Sequence, residues 1–331
     1  MTHYNRRKFV KGSLLAGTGL ALSSLWLPGC AESGEDQDGD TALANTVDAP
    51  AELLFKISLA QWSLNKPLFA GELDNLDFPA YTRNTFDISA VEYVNQFFKD
   101  KAEDKAYLAD LKQRCEDHGV TSVLIMVDRE GNLGTTDSDE LTQAIENHYK
   151  WVEAAKALGC HSIRVNAYGE GTREDVQMAA IEGLSRLGEF AATHNIGVIV
   201  ENHGSYSSDG TWLSEVMRQV GLDNVGTLPD FGNFCISRNK DDWKICEESY
   251  DRYKGTEELM PFAKGVSAKS HDFDEAGNET ESDFRRLLSI VKDSGYRGYV
   301  GIEYEGSELS PVDGIMATKT LLEKVRDELS A

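Results

Sequence analysis

From residue 54 onward the chain alternates two kinds of apolar patterning. Short runs are apolar or β-branched at nearly every position. Longer polar stretches between them carry apolar residues at helical spacing. The runs are LFKISLAQ (54–61), ISAVEYV (88–94), VTSVLIMV (120–127), HSIRVNA (161–167), IGVIVEN (196–202), VGTLPD (225–230), FAKGVSAKS (262–270) and YRGYVGIEYE (296–305). Runs without polar alternation predict strands of a parallel sheet covered on both faces. Helices are expected over 101–118, 141–158, 172 to about 194, 212–220, 282–294 and 311–329. Gly159 is placed to end the second of these in a left-handed turn. Pro311 is placed to start the last one.

Eight strands alternating with helices over 51–331 predict an α/β fold, a (β/α)8 TIM barrel, for which about 250 residues is typical. A doubly wound dinucleotide-binding sheet would need a GxGxxG turn after an early strand. The first strand is followed by WSLNKPLF instead, and the turn Gly169-Glu170-Gly171 lacks that motif.

The first 50 residues follow neither pattern. Paired arginines, Arg6 and Arg7, precede Phe9 and Lys11 and an apolar run over 13–27, which reads as an export signal. The run is too short for a comfortable membrane span. It resembles a twin-arginine signal, and its end, Leu27-Pro28-Gly29-Cys30, resembles a bacterial lipobox. That resemblance implies a signal over 1–30, cleavage before Cys30 and lipidation of Cys30. Residues 31–50 are acidic, rich in Gly, Ser and Asp, and poor in large apolar groups, so they are expected to form a flexible tether. The expected location is periplasmic, or on the outer membrane or cell surface as a lipoprotein.

Composition narrows the partners. Hydrophobic content of 40% and charged content of 27% are those of a globular domain. A net charge of −23 argues against nucleic acid and against membrane contact other than through the lipid anchor. The other cysteines, Cys115, Cys160, Cys235 and Cys246, form no CxxC pair, and a domain of this size needs no staple. No obligatory disulfide is expected.

The chemistry lies at the strand ends, where barrels keep their sites. The second run carries Glu92, the fourth Arg164 and Asn166, and the fifth Glu201 followed by His203. The sixth ends in Asp230 with Asn233 beyond, the seventh leads through Lys269 to His271, and the eighth carries Glu303. Glu201, Asp230, His271 and Glu303 recur about once per βα unit. Gathered carboxylates repel one another unless a cation joins them. Three carboxylates and one imidazole suit a hard or borderline divalent ion, Mn2+, Mg2+ or Co2+, with Zn2+ left open.

These segments are similar to the xylose isomerase-like barrel superfamily, the sugar phosphate isomerase/epimerase group that includes ketose 3-epimerases and inosose dehydratases. VEYVNQFF around Glu92, VIVENHG around Glu201, LPDFGNF around Asp230, VSAKSHDF around His271 and VGIEYEG around Glu303 carry the likeness, over roughly 55–325. The resemblance implies that Glu201, Asp230 and Glu303 hold a metal and that Glu201 and Glu303 transfer protons. The family commonly has His-x-Lys-Asp on strand seven. Aligning on Lys269 puts Ser267 at the histidine, so His271 is the expected fourth ligand, reaching back, with three protein ligands plus water as the alternative. Trp62, Glu92, Arg164, His203, Asn233 and Lys269 are the candidate substrate contacts. Tyr93 and Phe231 are further candidates for the pocket wall, with the core as the competing position.

The expected activity is metal-dependent isomerisation or epimerisation of a free or keto sugar or cyclitol, by proton abstraction beside a carbonyl. The same residues would serve a lyase or dehydratase acting on a 3-keto-glycoside or inosose. A lipid-anchored carbohydrate-binding protein without catalysis is the alternative from another class. The endonuclease IV branch of the superfamily needs a histidine-rich three-zinc site and a basic face, which seven histidines and the negative charge oppose. The sugar and the oligomeric state, homo-oligomer included, stay open.

Overall fold

The computed structural model describes residues 53–330. The expected signal over 1–30, its lipidation position Cys30 and the tether over 31–50 lie outside the described residues. Among the described residues no helix is long and apolar enough to cross a membrane.

The strands are β1 (Lys56–Ala60), β2 (Ala90–Val94), β3 (Thr121–Met126), β4 (Ser162–Val165), β5 (Gly197–Glu201), β6 (Val225–Leu228), β7 (Cys235–Arg238), β8 (Cys246–Ser249), β9 (Val266–Ser270) and β10 (Tyr299–Tyr304). Eight of them pair in parallel in the order β6-β5-β4-β3-β2-β1-β10-β9. Parallel bridges Thr227–Ala263 and Asp230–Ser267 join the two edges and close the ring. The barrel and all eight expected strands are therefore present.

Period-two alternation sorts each strand. Ala90, Val94, Leu124, Met126, Ile199 and Leu228 fill the barrel. Val91, Tyr93, Val198, Val200 and Ile302 point outward and pack with helix residues such as Leu111, Trp151 and Leu184. Burying each such large apolar side chain contributes about 1.5–3 kcal/mol. The same parity sends Glu92 and Glu201 inward, the first between Ala90 and Val94, the second two residues after Ile199.

Several of the helices that cover the barrel start on side-chain caps. Thr172 caps Arg173–Ala192, Asp209 caps Gly210–Val220 and Asp283 caps Phe284–Asp293, each worth about 1 kcal/mol. Gly159 ends Ser138–Leu158 with φ of 81°.

Two features depart from the sequence reading. Helices at Phe78–Phe86 and Arg252–Leu259 were not anticipated. The second, RYKGTEEL, has almost no apolar periodicity to reveal it. The other feature is the antiparallel hairpin of β7 and β8, inserted after β6 and joined by a Cys235–Cys246 disulfide. The expectation of no disulfide is thereby corrected: the bridge staples a local insertion that has no core of its own, not the barrel.

Candidate metal centre at the barrel mouth

Glu201 ends β5, Asp230 lies two residues past β6, and Glu303 is the penultimate residue of β10. One carboxylate oxygen from each lies within 4.8 Å of the other two, and all three side chains are buried.

Each carboxylate is aimed by neighbours. Asp230 Oδ1 accepts from the backbone N–H groups of Gly232 at 2.9 Å and Asn233 at 2.8 Å. Its Oδ2 accepts from Ser267 Oγ at 2.6 Å; Glu303 Oε2 lies 3.2 Å from the same hydroxyl. Asn233 Nδ2 donates to Glu201 Oε1 at 2.9 Å. Asn202 fastens the turn after β6, accepting from Asp230 N–H at 2.7 Å and donating to the Asp230 carbonyl at 3.0 Å.

Glu201 Oε2 is the exception. Arg164 Nε lies 2.9 Å away, an ion-pair distance, yet the groups are misaligned and neither atom has a hydrogen-bond partner. A buried carboxylate oxygen without a donor is a position that a cation would satisfy. The acidities agree. Burial, with the charge of Glu303 adding to it, raises Glu201 and Asp230 to about 7, although Arg164 opposes the first and Lys269 the second. Three converging oxygen donors fit a hard divalent ion.

Two cations neutralise part of this charge. Lys269 Nζ lies 3.1 Å from Glu303 Oε2 and 3.2 Å from Glu305 Oε1. Burial works against its charge, but these carboxylates and Asp230 hold it protonated. Arg164 Nη1 donates to Asp128 Oδ1 at 2.7 Å. Burial would raise Asp128, yet Arg164 outweighs it and leaves the carboxyl at about 2.

A cavity of about 400 Å3 opens above, lined by Trp62, Asp128, Arg164, His203, Glu303 and Glu305 among others. Of the three converging carboxylates Glu303 is on this wall, and one oxygen of each of the other two lies within 4.8 Å of it. Asn166 links Asp128 to His203, donating to Asp128 Oδ1 at 2.8 Å, with its own Oδ1 2.9 Å from His203 Nδ1. The Tyr168 hydroxyl donates to the His203 carbonyl. Nδ1–H of His203 then donates to Asn166 and Nε2 is left as an acceptor. Burial, aided by Arg164 and Lys269, lowers His203 to about 4, so the ring is neutral near pH 7. Another cleft, about 480 Å3, is lined by Tyr253, Glu281, Arg285 and Lys324 and holds none of these groups.

The sequence-derived candidates divide accordingly. Trp62, Arg164 and His203 line the cavity. Asn233 and Lys269 spend their polar atoms on the carboxylates. His271 does not join the three carboxylates: β9 ends at Ser270, the chain turns, and the ring lies 3.4 Å from Glu281 and 3.9 Å from Glu279. The reach-back needed the strand to continue, and it does not.

Glu92 is also placed differently. It lies inside the barrel, bonded to Ser58 Oγ at 2.5 Å, where a Cβ at position 301 would sit 2.6 Å from its carboxylate. Burial raises it to about 7, and it does not line the cavity. Tyr93 and Phe231 belong to the outer layer, Tyr93 against Ser122 and Phe231 against Phe284. Asp128, Tyr168 and Asn202 were missed. Asp128 directly follows the third predicted strand and Asn202 is the last residue of the fifth, a signal the sequence did contain.

Residues 85–326 match the xylose isomerase-like TIM barrel family. Among curated proteins, the chain is 26% identical over 160 residues to the "Putative hydroxypyruvate isomerase" of Mus musculus, an alignment covering 45% of this chain and 56% of that protein. The chain thus spans about half the length of this relative. Two solved structures share the fold. Escherichia coli 3-keto-D-glucoside 4-epimerase superposes with a TM-score of 0.61 at 14% identity, over 82% of this chain and 99% of that one. A xylose isomerase-like TIM barrel protein from Mycobacterium smegmatis, in complex with magnesium, superposes with a TM-score of 0.56 at 15% identity, over 82% and 96%. With its closed eight-stranded barrel and a match over most of its length, the chain belongs to the xylose isomerase-like TIM barrel family.

Proposed function

We propose that this protein is a metal-dependent isomerase or epimerase of free or keto sugars, keto-glycosides included. The observation that carries the reading is the convergence of Glu201, Asp230 and Glu303 within 4.8 Å at the barrel mouth. The three would hold one divalent ion, Mn2+, Mg2+ or Co2+ by the donor set, with Zn2+ second. When bound, the ion supplies Lewis-acid polarisation of a substrate carbonyl.

The protein's own groups do the rest. Glu201, buried beside that ion, would take a proton from the carbon beside the carbonyl. Glu303, which reaches the cavity wall, returns a proton to the product. Asn233 holds Oε1 of Glu201 by a hydrogen bond, Arg164 sets a positive charge beside Oε2, and Lys269 neutralises Glu303. Neutral His203 offers Nε2 as an acceptor for a sugar hydroxyl. Trp62 gives the ring an apolar face.

The proposed location is outside the cytoplasm, as a lipoprotein anchored at Cys30. The Cys235–Cys246 disulfide supports an oxidising compartment. A panel of aldoses, ketoses and 3-keto-sugars, incubated with metal-loaded protein and followed by NMR, tests the activity. At least one sugar converts to an isomer or epimer, and the conversion stops with EDTA. Sugar binding without conversion of any panel member, metal present or not, would leave a carbohydrate-binding protein instead.

A further inference from the structure

The hairpin after β6 is an insertion with an unusual tip. Trp243 and Ile245 are 69% and 53% exposed, although both are large and apolar. The tip is nonetheless ordered by its own hydrogen bonds. Asn239 Oδ1 accepts from the N–H groups of Asp241 and Asp242, both at 2.9 Å, and Asn239 N–H donates to the Ile245 carbonyl at 2.9 Å. Arg238 Nη1 donates to the Trp243 carbonyl at 3.1 Å, and its guanidinium lies 5.6 Å from the indole centroid. The Cys235–Cys246 bridge fixes the base.

This arrangement puts Trp243 at the barrel mouth. Trp62, Asn65, Lys66, Trp243, Glu305 and Pro311 line a cleft of about 330 Å3 there. Trp62 and Glu305 are also walls of the 400 Å3 cavity described above, so the two spaces adjoin across one indole and one carboxylate. Each falls in the size range of small-ligand pockets, about 300–1,000 Å3. The cleft combines two indoles with charged groups. Lys66 has no ion-pair partner among the described residues, and Glu305 is 31% exposed. Indole faces beside hydrogen-bonding ends match a pyranose ring, which is apolar on its C–H faces and polar around its rim.

We infer that the cleft between Trp62 and Trp243 is a second sugar subsite, which takes the non-reacting ring of a disaccharide while the reacting ring occupies the adjoining cavity. The inference rests on the proposed sugar chemistry for the reacting ring. It makes a glycoside, rather than a monosaccharide, the preferred substrate. Trp243 sets that preference and the disulfide-bridged hairpin holds it in position.

The test is calorimetric and needs no turnover. Full-length wild type, Trp243→Ala and Trp243→Phe are titrated with glucose and with cellobiose, maltose and 4-nitrophenyl glucoside. In wild type at least one disaccharide binds roughly tenfold more tightly than glucose, the factor that about 1.4 kcal/mol corresponds to. Trp243→Ala brings that ratio close to one, and Trp243→Phe, which keeps an aromatic face, restores most of it. Equal binding of glucose and every disaccharide overturns the subsite, as does a ratio unchanged in Trp243→Ala. A preference for the nitrophenyl glucoside alone also overturns the sugar assignment, in favour of an aryl group. Failure of the catalytic reading is read separately: a protein that shows the Trp243-dependent ratio but converts no sugar retains the subsite and loses the reaction.

Discussion

Arg164 Nε and Glu201 Oε2 stand 2.9 Å apart, with side chains only 4% and 1% exposed, and share no hydrogen bond. The arginine instead donates through Nη1 to Asp128. It thus supplies charge to Glu201 without occupying the carboxylate's second oxygen. Removing it leaves two acidic groups without their shared counter-ion. Arg164→Met should lower stability by about 3–5 kcal/mol and should abolish turnover. Arg164→Lys keeps the charge but loses the fork, so it should recover stability more than activity. Urea unfolding and kinetics on the same preparations check the split.

Ser267 stands where the family commonly has a histidine, and its hydroxyl serves Asp230 rather than solvent. Ser267→Ala should cost about 1–3 kcal/mol, since a buried carboxylate loses a donor. That hydrogen bond also holds the Asp230 pKa down, so its loss should move metal binding to higher pH. His271, held toward Glu279 and Glu281, should be dispensable: His271→Ala keeps bound metal, whereas Asp230→Asn and Glu303→Gln lose it. Metal analysis of the dialysed variants checks this ordering, and loss of metal from His271→Ala would restore it as a ligand.

The carboxylates also set a pH window. Glu201 and Asp230 are raised to about 7 from ordinary values of 4.5 and 3.8. Groups raised in the fold contribute stability that is present below their unfolded values and lost as pH rises through about 7. A divalent ion binds the deprotonated form, so it recovers more stability the further pH rises through that window. The thermal shift between EDTA and Mn2+ should therefore grow from about pH 5 to about pH 8. A shift independent of pH would place the ion elsewhere.

The hairpin should respond to reductant without the barrel doing so. Its bridge closes a loop between residues 11 apart, worth about 3 kcal/mol on chain-entropy grounds. That stabilisation is local because β7 and β8 pair only with each other. Dithiothreitol should loosen the hairpin enough for trypsin to cleave after the exposed Lys240 and Lys244, while leaving the midpoint of barrel unfolding unchanged. Mass spectrometry of a timed digest gives the answer.

Why the barrel was legible and the hairpin was not has a physical reason. Parallel strands buried on both faces must be apolar nearly throughout, so each wrote a recognisable run, and parity then placed Glu201 and Glu303 on one side. The hairpin buries little, and CISR and CEES carry no such pattern. The Cys235–Cys246 pairing depends on where the two strands meet, which spacing alone does not state. His271 shares the inward parity of Ser267 and Lys269 only while the strand lasts. β9 stops at Ser270, and no local feature marks that end. Glu92 shows the opposite limit: parity placed it inward, but depth within the barrel, not parity, separates a cavity wall from the interior.

In the proposed function Glu201, Asp230 and Glu303 form one metal-dependent proton-transfer site. Deuterium incorporation beside the carbonyl of a turned-over sugar, followed by NMR in D2O, tests it most directly. Exchange is expected in metal-loaded wild type, with none after EDTA and none in metal-loaded Glu201→Gln. Exchange at the wild-type rate in Glu201→Gln, or in metal-free protein, would contradict it.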